Sequence, residues 1–406
     1  MTMSSTTTFL ATVALLQIGL AGPLRAQATV RAVDGTRSEG VVAGLESDTL
    51  LLQAAGKTLR FPLPDVVSLR LSGSGGPPTG KPEACIELVG GDRLQGWIRG
   101  GDGEVIEIET ASLGRLRVEI DLLRGLTLGG AGRAPDPIEV YEADPGRDVL
   151  YRRLEKGLDS LRGTLESFGS GGFVFDCALG RVTFSYAETA ALLLVPGGAE
   201  PSPTARTVEL DLRDGSALRG ALLELTAGSI AIRPSFTARL TIPFSVVDVV
   251  RFSSPRHAYL SDMEPIEVVQ LPFVGGPESF RFPWRRDRTV TGRPLRVGRQ
   301  PCGKGLGVHS RCRLTYDLSA GWSRFEVAYG LADEVLELRH QGAMIFRVLV
   351  DGQVAFESGV VRGGDPPRPA PRIEVKGKQR LSLEADFGPD FDVADRGVWI
   401  EPLLVR

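Results

Sequence analysis

After residue 28, apolar and polar positions alternate with a period of two along most of the chain, in short runs broken by glycine, aspartate and proline. That period marks strands with one buried face. Over the first 250 residues the runs repeat. Val33-Asp34-Gly35 precedes Gly40, Gly91-Asp92-Arg93-Leu94 precedes Gly96, Leu158-Asp159-Ser160-Leu161 precedes Gly163, and Asp214-Gly215-Ser216-Ala217-Leu218 precedes Gly220. An apolar residue follows each glycine after 19 or 20 positions: Leu59, Leu116, Val182 and Leu240. Positions +2, +4 and +10 from these are apolar again: Phe61, Leu63 and Leu69; Val118, Ile120 and Leu126; Phe184, Tyr186 and Leu192; Ile242, Phe244 and Val250. A register shared by four segments is an internal repeat, with Gly-to-Gly intervals of 56, 67 and 57.

Turn-rich stretches at 72–82, 129–137 and 196–204 separate the repeats, giving units at 29–71, 83–128, 138–195 and 205–253. Four or five short strands in so small a unit leave exposed edges if flat, so closure into a small barrel is expected. The pattern resembles Sm-like and SH3-like barrels. RNA binding by such units needs basic or aromatic loops, which these repeats lack, so a structural or interaction array is the better reading. The third unit carries a conflicting signal. Leu150, Leu154, Leu158, Leu161 and Leu165 recur at helical spacing, although Gly157 and Gly163 each weaken a helix by about 1 kcal/mol. A short helix over Arg147–Lys156, followed by a hairpin over Leu158–Leu165, accommodates both signals.

Composition narrows the function. The 50 glycines and 27 prolines beside 42% apolar residues suit many strands and tight turns. The net charge of −3, from 47 basic and 50 acidic side chains, provides no field for nucleic acid or an anionic membrane. Residues 1–28 read as a signal peptide. Phe9–Leu20 is too short to span a bilayer, which takes about 20 apolar residues, and Ala26-Gln27-Ala28 supplies the small-x-small cleavage pattern. An uncleaved anchor is the competing reading, and no later segment is apolar enough to span. A secreted or periplasmic location follows. Four cysteines fit an exported chain, and Cys302 and Cys312 are near enough in sequence to pair, whereas Cys85 and Cys177 lie in different units. With three histidines and no metal spacing, zinc is not expected.

From His257 the repeat register gives way to a longer β pattern. Phe346, Val348 and Val350 line one face of a strand and Ile345 and Leu349 the other, so both faces are expected to be covered; Asp351-Gly352 then makes a two-residue hairpin turn. The proline-rich run 363–371 cannot enter a central strand. Two packed antiparallel sheets suit this content. Motifs follow in order: Ala258-Tyr259-Leu260-Ser261-Asp262, Gly303-Lys304-Gly305-Leu306-Gly307-Val308-His309-Ser310, Leu314-Thr315-Tyr316-Asp317-Leu318, Phe325, Gly330, Phe346-Arg347-Val348-Leu349-Val350-Asp351-Gly352, and Asp392 to Trp399. Together they resemble the NPCBM domain, a carbohydrate-binding module family attached to certain glycoside hydrolases. The resemblance covers about 257–406 and implies a jelly-roll-like β-sandwich that binds sugar. Family members commonly close on an Asp-His-Ala-Asp-Trp-like run, whereas Arg396-Gly397-Val398 stands between Asp395 and Trp399 here.

The fold class expected is therefore all-β: repeated small barrel-like units followed by a C-terminal sandwich. Sugar sites join an aromatic face to convergent polar groups. The candidates are Trp284 as stacking platform, with Arg286, His309, Asp395 and Trp399. Trp399 and His309 also have structural readings, in the core and in a hydrogen bond within the sandwich. Trp97 reads as core and Trp322 as a turn edge. Asp390, Asp392 and Asp395, beside Asp386, form a candidate calcium site competing with a solvated turn; no other cofactor is implied. No hydrolase elbow, His-Glu-x-x-His or Walker loop occurs, and no catalytic residue is assigned. The reading is a non-catalytic, exported protein whose partner is a glycan or glycoconjugate, with the repeats as scaffold or stalk. The alternatives are a structural adaptor binding a cell-envelope protein, or a non-catalytic subunit beside a glycoside hydrolase.

Overall fold

The structure, a computed structural model, describes residues 26–72, 80, 82–130, 135–195, 197 and 206–406. The apolar stretch Phe9–Leu20, on which the signal-peptide expectation rests, and most of the three turn-rich stretches lie outside the described residues. Those described contain strands, turns and short 3-10 helices only, the longest being Asp333–Glu337. No helix among them is long and apolar enough to cross a membrane.

The first 250 residues hold four groups of five strands with one topology. In the first group the strands are Gln27–Ala32, Arg37–Glu46, Thr49–Ala54, Lys57–Pro62 and Val66–Ser72, paired in the order fifth–first–second–third–fourth. The second, third and fourth groups repeat that order. The repeat glycine sits in the second strand, where the sheet bends so sharply that no side chain fits. A Cβ on Gly96 would lie 2.1 Å from the Glu109 carbonyl oxygen, and the same clash recurs at Gly40, Gly163 and Gly220. A register shift follows each glycine, at Val42/Gly44, Ile98/Gly100, Leu165/Ser167 and Leu222/Glu224, adding the twist that curls the sheet.

The expected barrel closure does not occur. Fourth and fifth strands are joined by a 3-10 turn in three groups (Leu63–Asp65, Ile120–Leu122, Phe244–Val246) and do not pair with each other. The open edge of each fifth strand pairs instead with the fifth strand of another group. Val66–Ser72 pairs antiparallel with Val247–Phe252, and Leu123–Leu128 with Thr189–Leu193, so the first group joins the fourth and the second joins the third. Unit-to-unit pairing disposes of those edges as closure would have done. Turns of the second and fourth groups are bonded as well: buried Asp92 accepts from the Arg219 amide at 2.6 Å and the Ser235 hydroxyl at 2.8 Å, and Asp214 accepts from the Ser112 amide at 2.9 Å. One apolar core, with Val30, Leu69, Ile86, Leu126, Leu150, Leu192, Leu210 and Val250 all fully buried, runs through all four groups.

The helix expected over Arg147–Lys156 is a strand, Asp148–Arg153, paired with one long strand, Leu158–Phe168, rather than with a hairpin over Leu158–Leu165. Leu150 is buried, but Leu154 and Leu158 are about half exposed at the turn joining the strands. Their helical spacing is incidental.

The C-terminal region is a sandwich of two antiparallel sheets. One contains Gly305–His309, Arg396–Val405 and Arg324–Leu331 as its central strands; the other contains Glu267–Gln270, Cys312–Asp317, Arg380–Phe387, Ala343–Val350 and Gln353–Arg362. Trp399, Tyr316, Phe325 and Phe346 fill the space between them. Asp351 and Gly352 have φ of 48° and 79°, the paired left-handed conformation of a tight hairpin turn. The outer face of Ala343–Val350, expected to be covered, is only half-buried, and Arg347 spans it in ion pairs with Glu357, Glu384 and Asp386.

The sandwich packs on the array along a seam of paired charges. Arg31 of the first group reaches Glu326 at 2.9 Å and Glu401 at 2.8 Å, Lys304 reaches Glu209 of the fourth at 2.9 Å, and Arg288 lies 3.8 Å from Glu87 of the second. Val33, Val67, Tyr259, Leu403 and Val405 add an apolar contact.

Candidate functional site

The residues singled out from the sequence do not form one site: His309 and Asp395 meet at Ser310, Trp284 and Arg286 lie together, and Trp399 is in the core. Trp399 is fully buried, its ring 5.0 Å from Phe346 and near perpendicular to it, so it is core and not a ligand face. Asp395 is also fully buried; its oxygens accept from the Ser310 hydroxyl and, at 3.0 Å, from the Ala343 amide. Burial pushes its carboxyl up to about 7, further raised by Asp392 and Asp390. His309 is buried with Nδ1 3.0 Å from the Ser310 carbonyl oxygen and its ring stacked on Phe282 at 4.8 Å. Burial lowers its pKa. These three are structural.

Trp284 immediately precedes the two-residue edge strand Arg285–Arg286, which carries Arg286. The Arg286 guanidinium is 5.3 Å from the Trp284 ring, donates to the Met263 carbonyl at 3.1 Å and pairs with Glu264 at 2.7 Å. Trp284 is half-buried against the sandwich core, and the cation occupies space over its ring. Trp97, expected in the core, is half-buried outside it with Arg99 over its ring at 5.9 Å.

Asp390, Asp392 and Asp395 do not form a calcium cage. Asp390 faces Arg362 at 3.4 Å, Asp392 accepts from the Phe273 amide at 2.9 Å, and Asp395 is occupied as described. Among the described residues no three His, Cys, Asp or Glu side chains converge to hold a metal. Cys302 and Cys312 are both free thiols, Cys302 packing beside Leu295 and Cys312 inside the sandwich core, so the expected disulfide is absent. Burial pushes the Cys312 thiol up to about 12.

A cleft of about 440 Å³ opens at one end of the sandwich, where three loops meet. His340, Gln341 and Gly342 lead into the strand Ala343–Val350, Arg362 ends the strand Gln353–Arg362 and Gly363 follows it, and Pro389 to Val393 join Arg380–Phe387 to Arg396–Val405. Phe391 stands out of its turn with φ of 64°, a conformation bulky residues seldom adopt, and is 55% exposed. Phe273 supports it at 4.6 Å between ring centroids and also touches Phe387 at 5.3 Å, over which Arg311 lies at 5.5 Å. The cleft thus combines an open aromatic ring with a guanidinium, an imidazole and a carboxylate. Such a set can pack on the C–H face of a sugar ring while donating to and accepting from its hydroxyls. Asp390 was legible as a polar loop residue. Phe391, His340 and Arg362 were missed, although an aromatic residue framed by turn formers, Gly388-Pro389-Asp390-Phe391-Asp392, was a signal.

Residues 256–405 match the NPCBM/NEW2 domain family, as the ordered motifs indicated. No curated protein gives a match to the chain. Among solved structures, the chain is similar to the CBM51 module of the Clostridium perfringens GH95 enzyme in complex with methyl-galactose, at 21% identity over 37% of this chain and 99% of that one, with a TM-score of 0.32. It is also similar to CBM51-2 and INT domains of C. perfringens ZmpB in complex with GlcNAc, at 18% identity and a TM-score of 0.33, covering 46% of this chain and 38% of that one. The tandem CBM51 modules of a family 98 glycoside hydrolase from Streptococcus pneumoniae match at 13% identity over 93% and 87%, with a TM-score of 0.31.

Proposed function

We propose that this is an exported, non-catalytic glycan-binding protein that takes a sugar in the cleft formed by His340, Arg362, Asp390 and Phe391, with the four-unit array as its rigid base. The observation carrying this is the half-exposed Phe391 ring beside three polar side chains at the end of a carbohydrate-binding-module fold. An apolar ring that costs free energy to leave in water, and sits in a strained turn, is explained by a ligand that covers it. The array suits a base because its edges are joined in pairs and its charges are matched across the seam. Calorimetric titration of the full chain with a panel of neutral and acidic oligosaccharides tests the reading. At least one glycan should bind saturably, and Arg362→Ala should weaken it about ten-fold, a loss of roughly 1.4 kcal/mol.

An adaptor role, binding a protein in place of a sugar, is supported by exposed Phe273, Val274 and Val393 near the same end. It becomes the preferred reading if no glycan binds the intact chain.

A further inference from the structure

The second and fourth groups show how one of these five-stranded units recognises another. Consecutive strands run antiparallel, so the turn between first and second strands and the loop between third and fourth lie at the same end of each unit. At that end the two groups meet reciprocally. Asp92, in the turn of the second group, accepts from the Ser235 hydroxyl in the loop of the fourth at 2.8 Å. Asp214, in the turn of the fourth, accepts from the Ser112 amide in the loop of the second at 2.9 Å. The second strands touch between these contacts, where Arg93 stands opposite Ala217 and Ser216 accepts from the Gln95 amide at 3.0 Å. Each unit offers the same end to the other, which is the pattern of an isologous contact.

The other two groups use that end differently. In the first, the sandwich covers the turn: Val33 is buried with Tyr259, Leu403 and Val405, and the Arg324 guanidinium donates to its carbonyl oxygen. In the third, the end is bare. Leu154 and Leu158, at the turn, are 51% and 52% exposed, and Leu179, in the loop after the strand Gly172–Cys177, is 61% exposed. Covering a leucine fully gains about 1.5–3 kcal/mol, so three of them held open where sister units dock mark a surface without its partner. Between Leu154 and Leu158, the exposed Glu155 and Lys156 have no ion pair or side-chain hydrogen bond among the described residues. A partner related by a twofold axis sets Glu155 against Lys156 and Lys156 against Glu155, so the turn is complementary to itself.

We propose that the exposed end of the third group is the interface for a second copy of this chain, docked as the second and fourth groups dock within one chain. Of the four such ends, two bind each other and one meets the sandwich; a second copy supplies the matching end for the last. The paired chains carry two sandwiches on one particle, whatever ligand the cleft at Phe391 takes.

Sedimentation velocity of the full chain over about 1 to 500 µM, where an interface of modest area assembles, tests this. The mass should rise from one chain to two. Leu154→Glu/Leu158→Glu should hold it at one chain throughout, with the melting temperature unchanged because both side chains are already half exposed. Glu155→Lys alone should weaken association about ten-fold by setting like charges together, and adding Lys156→Glu should restore it, because the swapped pair is again self-complementary. Val274→Glu, at an apolar position of the sandwich that is 77% exposed, should have no effect. A chain that stays single at every concentration overturns the proposal. So does a dimer that survives Leu154→Glu/Leu158→Glu, fails to recover with the charge swap, or dissolves on Val274→Glu.

Discussion

The Lys304 ammonium lies 2.9 Å from the Glu209 carboxylate, joining a glycine-rich motif of the sandwich to the first strand of the fourth repeat. Asp262 and Asp287 complete its surroundings, and its side chain is 6% exposed. Burial works against the charge, yet Glu209, Asp287 and Asp262 together hold its pKa above the usual lysine range. Lys304→Met removes the cation shared by three carboxylates, of which Glu209 keeps Arg219 at 3.9 Å, and breaking a buried pair in this way costs about 3–5 kcal/mol. Chemical unfolding should show that loss. The double variant Lys304→Met/Glu209→Gln should recover part of it, because one uncompensated charge is gone. Equal destabilisation of single and double variants would show that the charges do not couple.

The repeat glycines give a sharper stability test. Gly96→Ala places a Cβ 2.1 Å from the Glu109 carbonyl oxygen, so two backbones must separate, and a cost of about 1–3 kcal/mol is expected. Gly171→Ala, with nothing within 4 Å of its Cβ, should change stability by less than about 0.5 kcal/mol. Denaturant midpoints of the two variants, compared with wild type, decide the matter.

Those glycines also mark what the chain discloses by itself. Gly40, Gly96, Gly163 and Gly220 were visible as a repeat because one local geometry, a second strand bent against a third, recurs four times. The pairing of Leu69 with Val250, and of Leu126 with Leu192, was not visible. Those contacts join faces that look alike in every unit, and no local pattern says which unit meets which. Trp399 and Asp395 were recognised by family position, but the pattern could not separate a ligand face from a core residue, since both use aromatic and carboxylate side chains. The cleft was missed because His340, Arg362 and Phe391 lie on three loops that only the folded sandwich brings together.

Asp395 and His257 make stability depend on pH in opposite senses. Burial holds the Asp395 carboxyl at about 7, against about 3.9 unfolded, so its contribution is fully present below pH 4 and is lost as pH rises through 7. Burial holds His257 at about 4, so its contribution is present above about pH 6.5 and is lost as pH falls toward 4. Asp395→Asn keeps both contacts: the amide oxygen accepts from the Ala343 amide, and the amide N–H donates to Ser310. The stability difference between Asp395→Asn and wild type should therefore rise from near zero at pH 4 to a plateau above pH 7, on the order of 4 kcal/mol. His257 is common to both proteins and cancels from that difference. Thermal melts across pH 4–8 read it directly, and a flat difference would falsify the buried-carboxyl account.

Trp284 and Phe391 separate two accounts of where a sugar stacks. Trp284 is half-buried against the sandwich core, with Arg286 over its ring. Removing it should cost about 2 kcal/mol of stability through lost packing while leaving glycan affinity within two-fold. Phe391 is 55% exposed and supported by the Phe273 ring at 4.6 Å. Phe391→Ala should leave stability within about 0.5 kcal/mol, because little area is uncovered, yet lower affinity ten-fold or more through loss of the stacking face. Paired melting curves and calorimetric titrations on the two variants give four numbers with a crossed pattern. If Trp284→Ala abolishes binding while Phe391→Ala leaves it intact, the sugar sits on the edge strand at Arg285–Arg286 and not in the cleft between the loops.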